Sequence, residues 1–133
     1  FFTTLSRRLG AEGDFAAAQQ TLRSLGNYIR KHFGAVGGFS TRQRINEFAT
    51  ILPFSNLEEA RRILEKFTED FRQDGMRKLE EIFRREVPAD QCFDFVISVG
   101  MSPGKPQVEI ESVMEFARFD MKPIAQFRCD IRR

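Results

Sequence analysis

The stretch GAVGGFSTRQR, Gly34 to Arg44, sets three glycines, a Ser-Thr pair and two arginines side by side. Backbone N–H groups at a helix N-terminus attract anions, and a glycine-rich approach lets a phosphate come close. Ser40, Thr41, Arg42 and Arg44 therefore form a candidate anion-binding site. The spacing supports a plainer use. No G-x-G-x-x-G pattern is present, and no lysine follows a glycine as a P-loop requires. Ser40 with Gln43 three residues on makes a capping box. The favoured reading is a loop and a helix cap, with the anion site as the alternative. The stretch GMSPGKP, Gly100 to Pro106, also falls short of a phosphate loop: its two glycines stand one residue too close, and Pro106 replaces the Ser or Thr. It reads as a hairpin turn with Lys105 at a solvated tip.

Provision for catalysis is thin. The chain has one histidine, His32, near a helix end where it can serve the last carbonyls, and no serine nucleophile has a base beside it. No Asp or Glu is expected on an apolar face, where desolvation would tune it for proton transfer; Asp74 interrupts one stripe. Cys92 and Cys129 with a single histidine cannot supply a four-ligand zinc site. They are expected as buried, reduced thiols. No catalytic residue, metal ligand or cofactor is expected.

Aromatic usage is lopsided: 15 Phe, 1 Tyr and no Trp. Phe carries apolar area without a polar handle, which suits cores and interfaces. Phe1, Phe2, Phe39, Phe54 and Phe119 fall outside the helical and strand stripes, in turns or termini. Of these, Phe39, Phe54 and Phe119 are the candidate partner-binding residues.

The elements that must position them follow from periodicity. From an N-cap at Asp14, Phe15, Ala18, Leu22, Leu25, Ile29 and Phe33 recur at helical steps until Gly34. A second helix is expected from Ser40, with Ile45, Phe48, Ala49 and Leu52 inward and Pro53 as its stop. A third opens with the box Ser55 and Glu58, carries Leu57, Ala60, Leu64, Phe67 and Phe71, and continues past Gly75 through Leu79, Ile82 and Phe83 to Pro88 as a long bent helix. After Pro88 the period becomes two. Phe93, Phe95, Ile97 and Val99 predict a strand; Val108 and Ile110, alternating with Glu109 and Glu111, predict its hairpin partner; Ala125, Phe127, Cys129 and Ile131 predict a last strand. Glu109 and Glu111 would then face Arg128 or Arg132 across the sheet. The expected fold is α+β: about three N-terminal helices, the last long, packed on a C-terminal three-stranded antiparallel sheet. Residues 1–13 read as an N-terminal extension and 14–133 as one domain, with a helical part over 14–87 and a β-meander over 92–132.

Charge is uneven. Residues 1–56 hold seven Lys or Arg against three acids, while residues 57–91 hold eight against ten and residues 92–133 six against six. In the third helix the charges are spaced for i,i+4 pairs, such as Glu58 with Arg62, Glu80 with Arg84 and Glu81 with Arg85. A formal charge of +2 is small for a phosphate footprint.

The expected function is a non-enzymatic protein–protein interaction or assembly module, part of a larger protein or complex. Two alternatives stand: a nucleic-acid-binding accessory domain using Arg7, Arg8, Arg42 and Arg44, and a small-molecule sensor with a pocket between helices and sheet. No run approaches the roughly 18 to 20 apolar residues of a membrane span. A cytoplasmic location is expected. The acid-free opening FFTTLSRRLGA, which has the flavour of a transit peptide, makes an organelle interior the alternative.

Overall fold

The computed structural model describes the backbone of residues 2–7 and, in full, residues 18–44, 46–53, 55–104 and 107–129. Five strands form one sheet: β1 Phe2–Arg7, β2 Phe39–Arg44, β3 Glu47–Ile51, β4 Phe95–Gly100 and β5 Lys122–Phe127. Their order is β2-β3-β1-β4-β5, and every neighbouring pair is antiparallel. Helix α1 is Gln19–Gly34, α2 Leu57–Asp70, α3 Met76–Glu86 and α4 Ile110–Phe119. The first four strands with their helices make the split βαβ topology, and β5 extends it.

The α+β class holds, with two antiparallel pairs, β2–β3 and β4–β5, in place of the expected three-stranded C-terminal sheet. β1 joins the two pairs. The segment read as an N-terminal extension thus supplies the middle strand, and strands and helices alternate instead of falling into a helical part and a meander.

α1 buries Leu22, Leu25, Ile29 and Phe33, the stripe that periodicity marked. Asp14, its expected cap, lies outside the described residues. The first turn of α1 is served by a distant acid: the Glu86 carboxylate accepts from Gln20 N at 2.8 Å, Thr21 N at 2.6 Å and Thr21 Oγ1 at 2.8 Å. That placement satisfies orphan amides and complements the helix dipole.

The expected second helix is instead the β2–β3 hairpin. Phe48 and Thr50 point into the protein while Ile51 is exposed, and Ser40 Oγ meets Thr50 Oγ1 at 2.8 Å across the strands. Ser40 is therefore a cross-strand partner and not a cap. Phe48, Ala49 and Leu52 satisfy a helical step in sequence, but Thr41, Phe48, Thr50 and Ile51 are strand formers, and a short run cannot carry the distinction. Ile45 lies outside the described residues.

α2 is capped one residue later than expected: Asn56 Oδ1 accepts from Glu59 N at 2.8 Å. The helical run continues to Glu86 through a π turn at Phe71–Gly75, in which Met76 N donates to Phe71 O. Gly75 lets the end of the Tyr28 ring lie close, since a Cβ would stand 2.9 Å from Tyr28 Cζ and the ring would have to shift.

β4 buries Phe95, Ile97 and Val99 as its alternation implies. The chain from Met101 then leads into α4, where a hairpin was expected. Alternation over Val108–Glu111 spans only four residues, whereas Val113, Met114 and Ala117 repeat at helical steps. Glu109 and Glu111 sit at the N-terminus of α4, favourable for its dipole, and not opposite Arg128. Ile110 is exposed instead of buried. Lys105, Pro106, Ile131 and Arg132 lie outside the described residues.

The core lies between the sheet and α1–α3 and is built on Phe. Phe83 packs edge-on against Phe93, Phe95 and Phe127 at centroid distances of 5.0, 5.0 and 4.9 Å, while Phe33, Phe67 and Phe71 form a second stack. Beside the first cluster Cys92 and Cys129 form a disulfide, with Cα atoms 6.0 Å apart. The expectation of reduced thiols is overturned by strand register: Phe95 pairs with Phe127, so residues just before β4 and just after β5 lie opposite each other.

Candidate interaction surface

The two faces of the sheet are covered unequally. Phe48, Phe95, Ile97 and Val99 point toward α1–α3, and alternation sends Glu47, Ala49, Ile51 and Gly100 to the other face. Among the described residues, only the 10-residue α4 packs on that second face. Gly100 lets it approach, because a Cβ there would clash with the Ala117 carbonyl and lie 2.8 Å from Met121 N.

α4 is fixed at its C-terminal end by an ion cluster. Arg118 donates to Glu47 through Nε at 3.2 and 3.1 Å and through Nη2 at 2.7 Å, and also binds Glu115. Glu47 is 5% exposed, a buried acid that sequence reasoning placed on no apolar face. Hydrogen bonding to Glu47 raises the Arg118 pKa above its ordinary value. The only sequence signal was the acid at the head of a mostly apolar run, EFATIL.

At its N-terminal end α4 leaves apolar surface uncovered. Phe39 and Ile51 are register partners on β2 and β3, on the α4 face, and they are 67% and 50% exposed. Ile51 also lines a groove of about 390 Å³ with Leu57, Met101, Ile110 and Val113. The hairpin edge and the start of α4 thus form one apolar surface. Phe39 was singled out by sequence; Ile110 was assigned inward and Ile51 was given no role beside the expected helical stripe, and both were missed because their elements were misassigned.

Phe119, 86% exposed, ends α4. It lies nine residues from Ile110, about 13 Å along the helix axis, so the two candidate Phe residues do not converge. Phe54 lies outside the described residues. Of the candidate anion set, Thr41 Oγ1 accepts from Gln43 Nε2 at 2.5 Å and the Arg42 guanidinium carbon lies 6.0 Å from the Phe48 ring centroid. With Ser40 and Arg44 these residues are strung along β2, and the one that meets a helix start, Arg44, shares its groove with Glu109 and Glu111 at the N-terminus of α4, so acids and not an anion site stand beside it.

A second groove, about 770 Å³, runs between α2 and the β4–β5 strands; Leu64, Val99 and Ile124 line it with Arg61, Glu65 and Lys122. His32, expected to serve helix carbonyls, instead has Nε2 3.2 Å from Asp70 Oδ2 on α2. The Tyr28 hydroxyl is pushed up in pKa by burial, then by Asp70 and Asp74. No group of three or more potential metal ligands occurs among the described residues.

No protein-family model, curated protein or solved structure matches the chain.

Proposed function

We propose that this chain is a non-enzymatic protein-interaction module, docking a partner protein on the apolar surface where the β2–β3 hairpin meets the start of α4. The observation that carries the reading is the Phe39–Ile51 pair: two large apolar side chains opposite each other on an outer hairpin, both at least half exposed. Such a pair in a free monomer leaves apolar area in water that a partner would cover, at roughly 25 cal/mol per Å². No described helix is long and apolar enough to cross a membrane.

A photocrosslinking amino acid tests the reading. With Phe39→p-benzoylphenylalanine in the full-length protein in its source cells, irradiation is expected to give a discrete adduct with another protein, lost when Ile51→Asp is added. Absence of any adduct, or diffuse labelling unaffected by Ile51→Asp, overturns the proposal.

The α2–sheet groove supports a second reading, a small-molecule sensor, since its 770 Å³ falls in the range of ligand sites. A saturable rise in melting temperature with a small molecule, abolished by Leu64→Asp, would favour it.

A further inference from the structure

The two grooves adjoin. The smaller, about 390 Å³, lies beside Ile51 and the start of α4, and the larger, about 770 Å³, runs between α2 and the β4–β5 strands. Leu57, Met101 and Pro103 line both. Leu57 is the first residue of α2 and Met101 the first after β4, so the chain leaving the sheet and the helix beside it make a shared apolar floor. The unbranched methionine adapts its shape to what lies on it. Ile51, Leu57 and Ile110 are exposed along this path.

The grooves differ in charge. No described residue that lines the smaller one is charged. Three of its polar side chains are engaged: Thr50 Oγ1 with Ser40 Oγ at 2.8 Å, Asn56 Oδ1 with Glu59 N at 2.8 Å, and Ser102 Oγ with Pro103 O at 3.4 Å. A ligand group with hydrogen-bonding atoms would lose its hydration there for little return, whereas hydrocarbon would not. The larger groove has both signs of charge at its rim. Along α2 and the π turn, Arg61, Glu65, Glu69 and Arg72 follow at steps of four, four and three residues, which keeps them in line; across the groove stand Asp120 and Lys122.

We infer that the adjoining grooves bind a single-chain amphiphile with a zwitterionic head, of the lysophospholipid class, its tail in the smaller groove and its head at the rim of the larger. The inference rests on the second reading above, a small-molecule site in the α2–sheet groove, and names its ligand. A peptide is the poorer occupant, because its backbone N–H and C=O groups would meet hydrocarbon and engaged side chains in the uncharged groove. A head of one charge would face like as well as unlike charge at this rim, while a head with both signs can set each against its opposite. Phe39 lines neither groove, so its crosslink tests partner docking independently.

The test is isothermal titration calorimetry with amphiphiles kept below their micelle threshold. Dodecylphosphocholine is expected to bind saturably at one site, and laurate, dodecyltrimethylammonium and dodecyl maltoside at least about tenfold more weakly. Each methylene buried is worth about fourfold in affinity, so octylphosphocholine should bind far more weakly than the dodecyl compound. Ala60→Trp, which fills the smaller groove, should erase that chain-length dependence. Arg61→Glu with Lys122→Glu should turn the preference to dodecyltrimethylammonium, a swap that a misfolded variant would not show. Equal binding of the four heads, or tightest binding of laurate, overturns the head assignment. Affinity independent of chain length overturns the tail assignment. Binding to vesicles of diacyl phosphatidylcholine without binding to the monomers overturns the inference in favour of a membrane surface. If no amphiphile binds, the ligand class is wrong, and the Leu64→Asp melting test with other small molecules reports separately on the site.

Discussion

Glu47 on β3 and Arg118 on α4 are 71 residues apart in sequence and share three hydrogen bonds of 2.7 to 3.2 Å. The carboxylate keeps 7% of its side-chain exposure and the guanidinium 21%. Arg118→Ala strands the carboxylate in a site that water barely reaches. The expected loss is about 3 kcal/mol, the low end for a buried pair because the arginine is partly wet. The double variant Glu47→Leu with Arg118→Met should recover much of it. Urea unfolding of the wild type, Glu47→Leu, Arg118→Met and the double variant gives the coupling directly.

Two glycines should respond oppositely to alanine. At Gly100 the added methyl meets the backbone of α4 and of Met121, so Gly100→Ala should cost about 3 kcal/mol, the upper part of the range for overpacking. At Gly34, the last residue of α1, nothing lies within 4 Å of the new Cβ and φ is not positive. Gly34→Ala should add roughly 0.4 to 1 kcal/mol by restricting the unfolded chain. Paired thermal melts check both signs.

Asp74 has its pKa lowered by its hydrogen bond to Lys78 foremost, and by Arg77. The folded value lies below the unfolded 3.8. Its contribution is therefore complete above the unfolded pKa and fades as pH falls through the folded one. Asp74→Asn should flatten the stability profile below about pH 4 and leave no added slope above it. A proton-detected titration of the Asp74 carboxyl checks the direction.

The Cys92–Cys129 bond closes a loop with a sequence separation of 37. Protein purified without reductant should show no thiol that reacts with iodoacetamide, even in denaturant. Reduction should lower stability by roughly 2 to 4 kcal/mol. Two reactive thiols in that denatured, unreduced sample would refute the pairing and fit a reducing compartment.

Legibility in the sequence followed the range of the interaction. The α1 stripe of Leu22, Leu25, Ile29 and Phe33 and the alternation of Phe95, Ile97 and Val99 are local patterns, and both read true. β1 was invisible because nothing in Phe2–Arg7 announces strands on either side of it. The hairpin of β2 and β3 was misread where Phe48, Ala49 and Leu52 fit two periods at once. α4 was misread because four alternating residues outweighed a helical repeat that starts only at Ile110. Within the candidate site, Phe39 stood out as an aromatic in polar company. Ile51 became visible as its neighbour only through strand pairing.

Between Phe71 and Met76 the apolar stripe of the long helical run takes a step of five, and the π turn absorbs it. That turn works as a phase setting. Each residue of an ordinary helix advances its faces by 100°; the five-residue step across the π turn brings Met76 back to the face of Phe71, as a step of four does in regular winding. Removing one of Arg72, Gln73 or Asp74 would therefore let the run wind regularly with Leu79 and Phe83 still on the face of Phe67 and Phe71. Winding all five residues as ordinary helix would instead turn α3 by about 100° and swing Leu79, Phe83 and Glu86 away. The π turn thus lets the chain hold one residue more than an unbroken helix needs without disturbing the face that α3 presents.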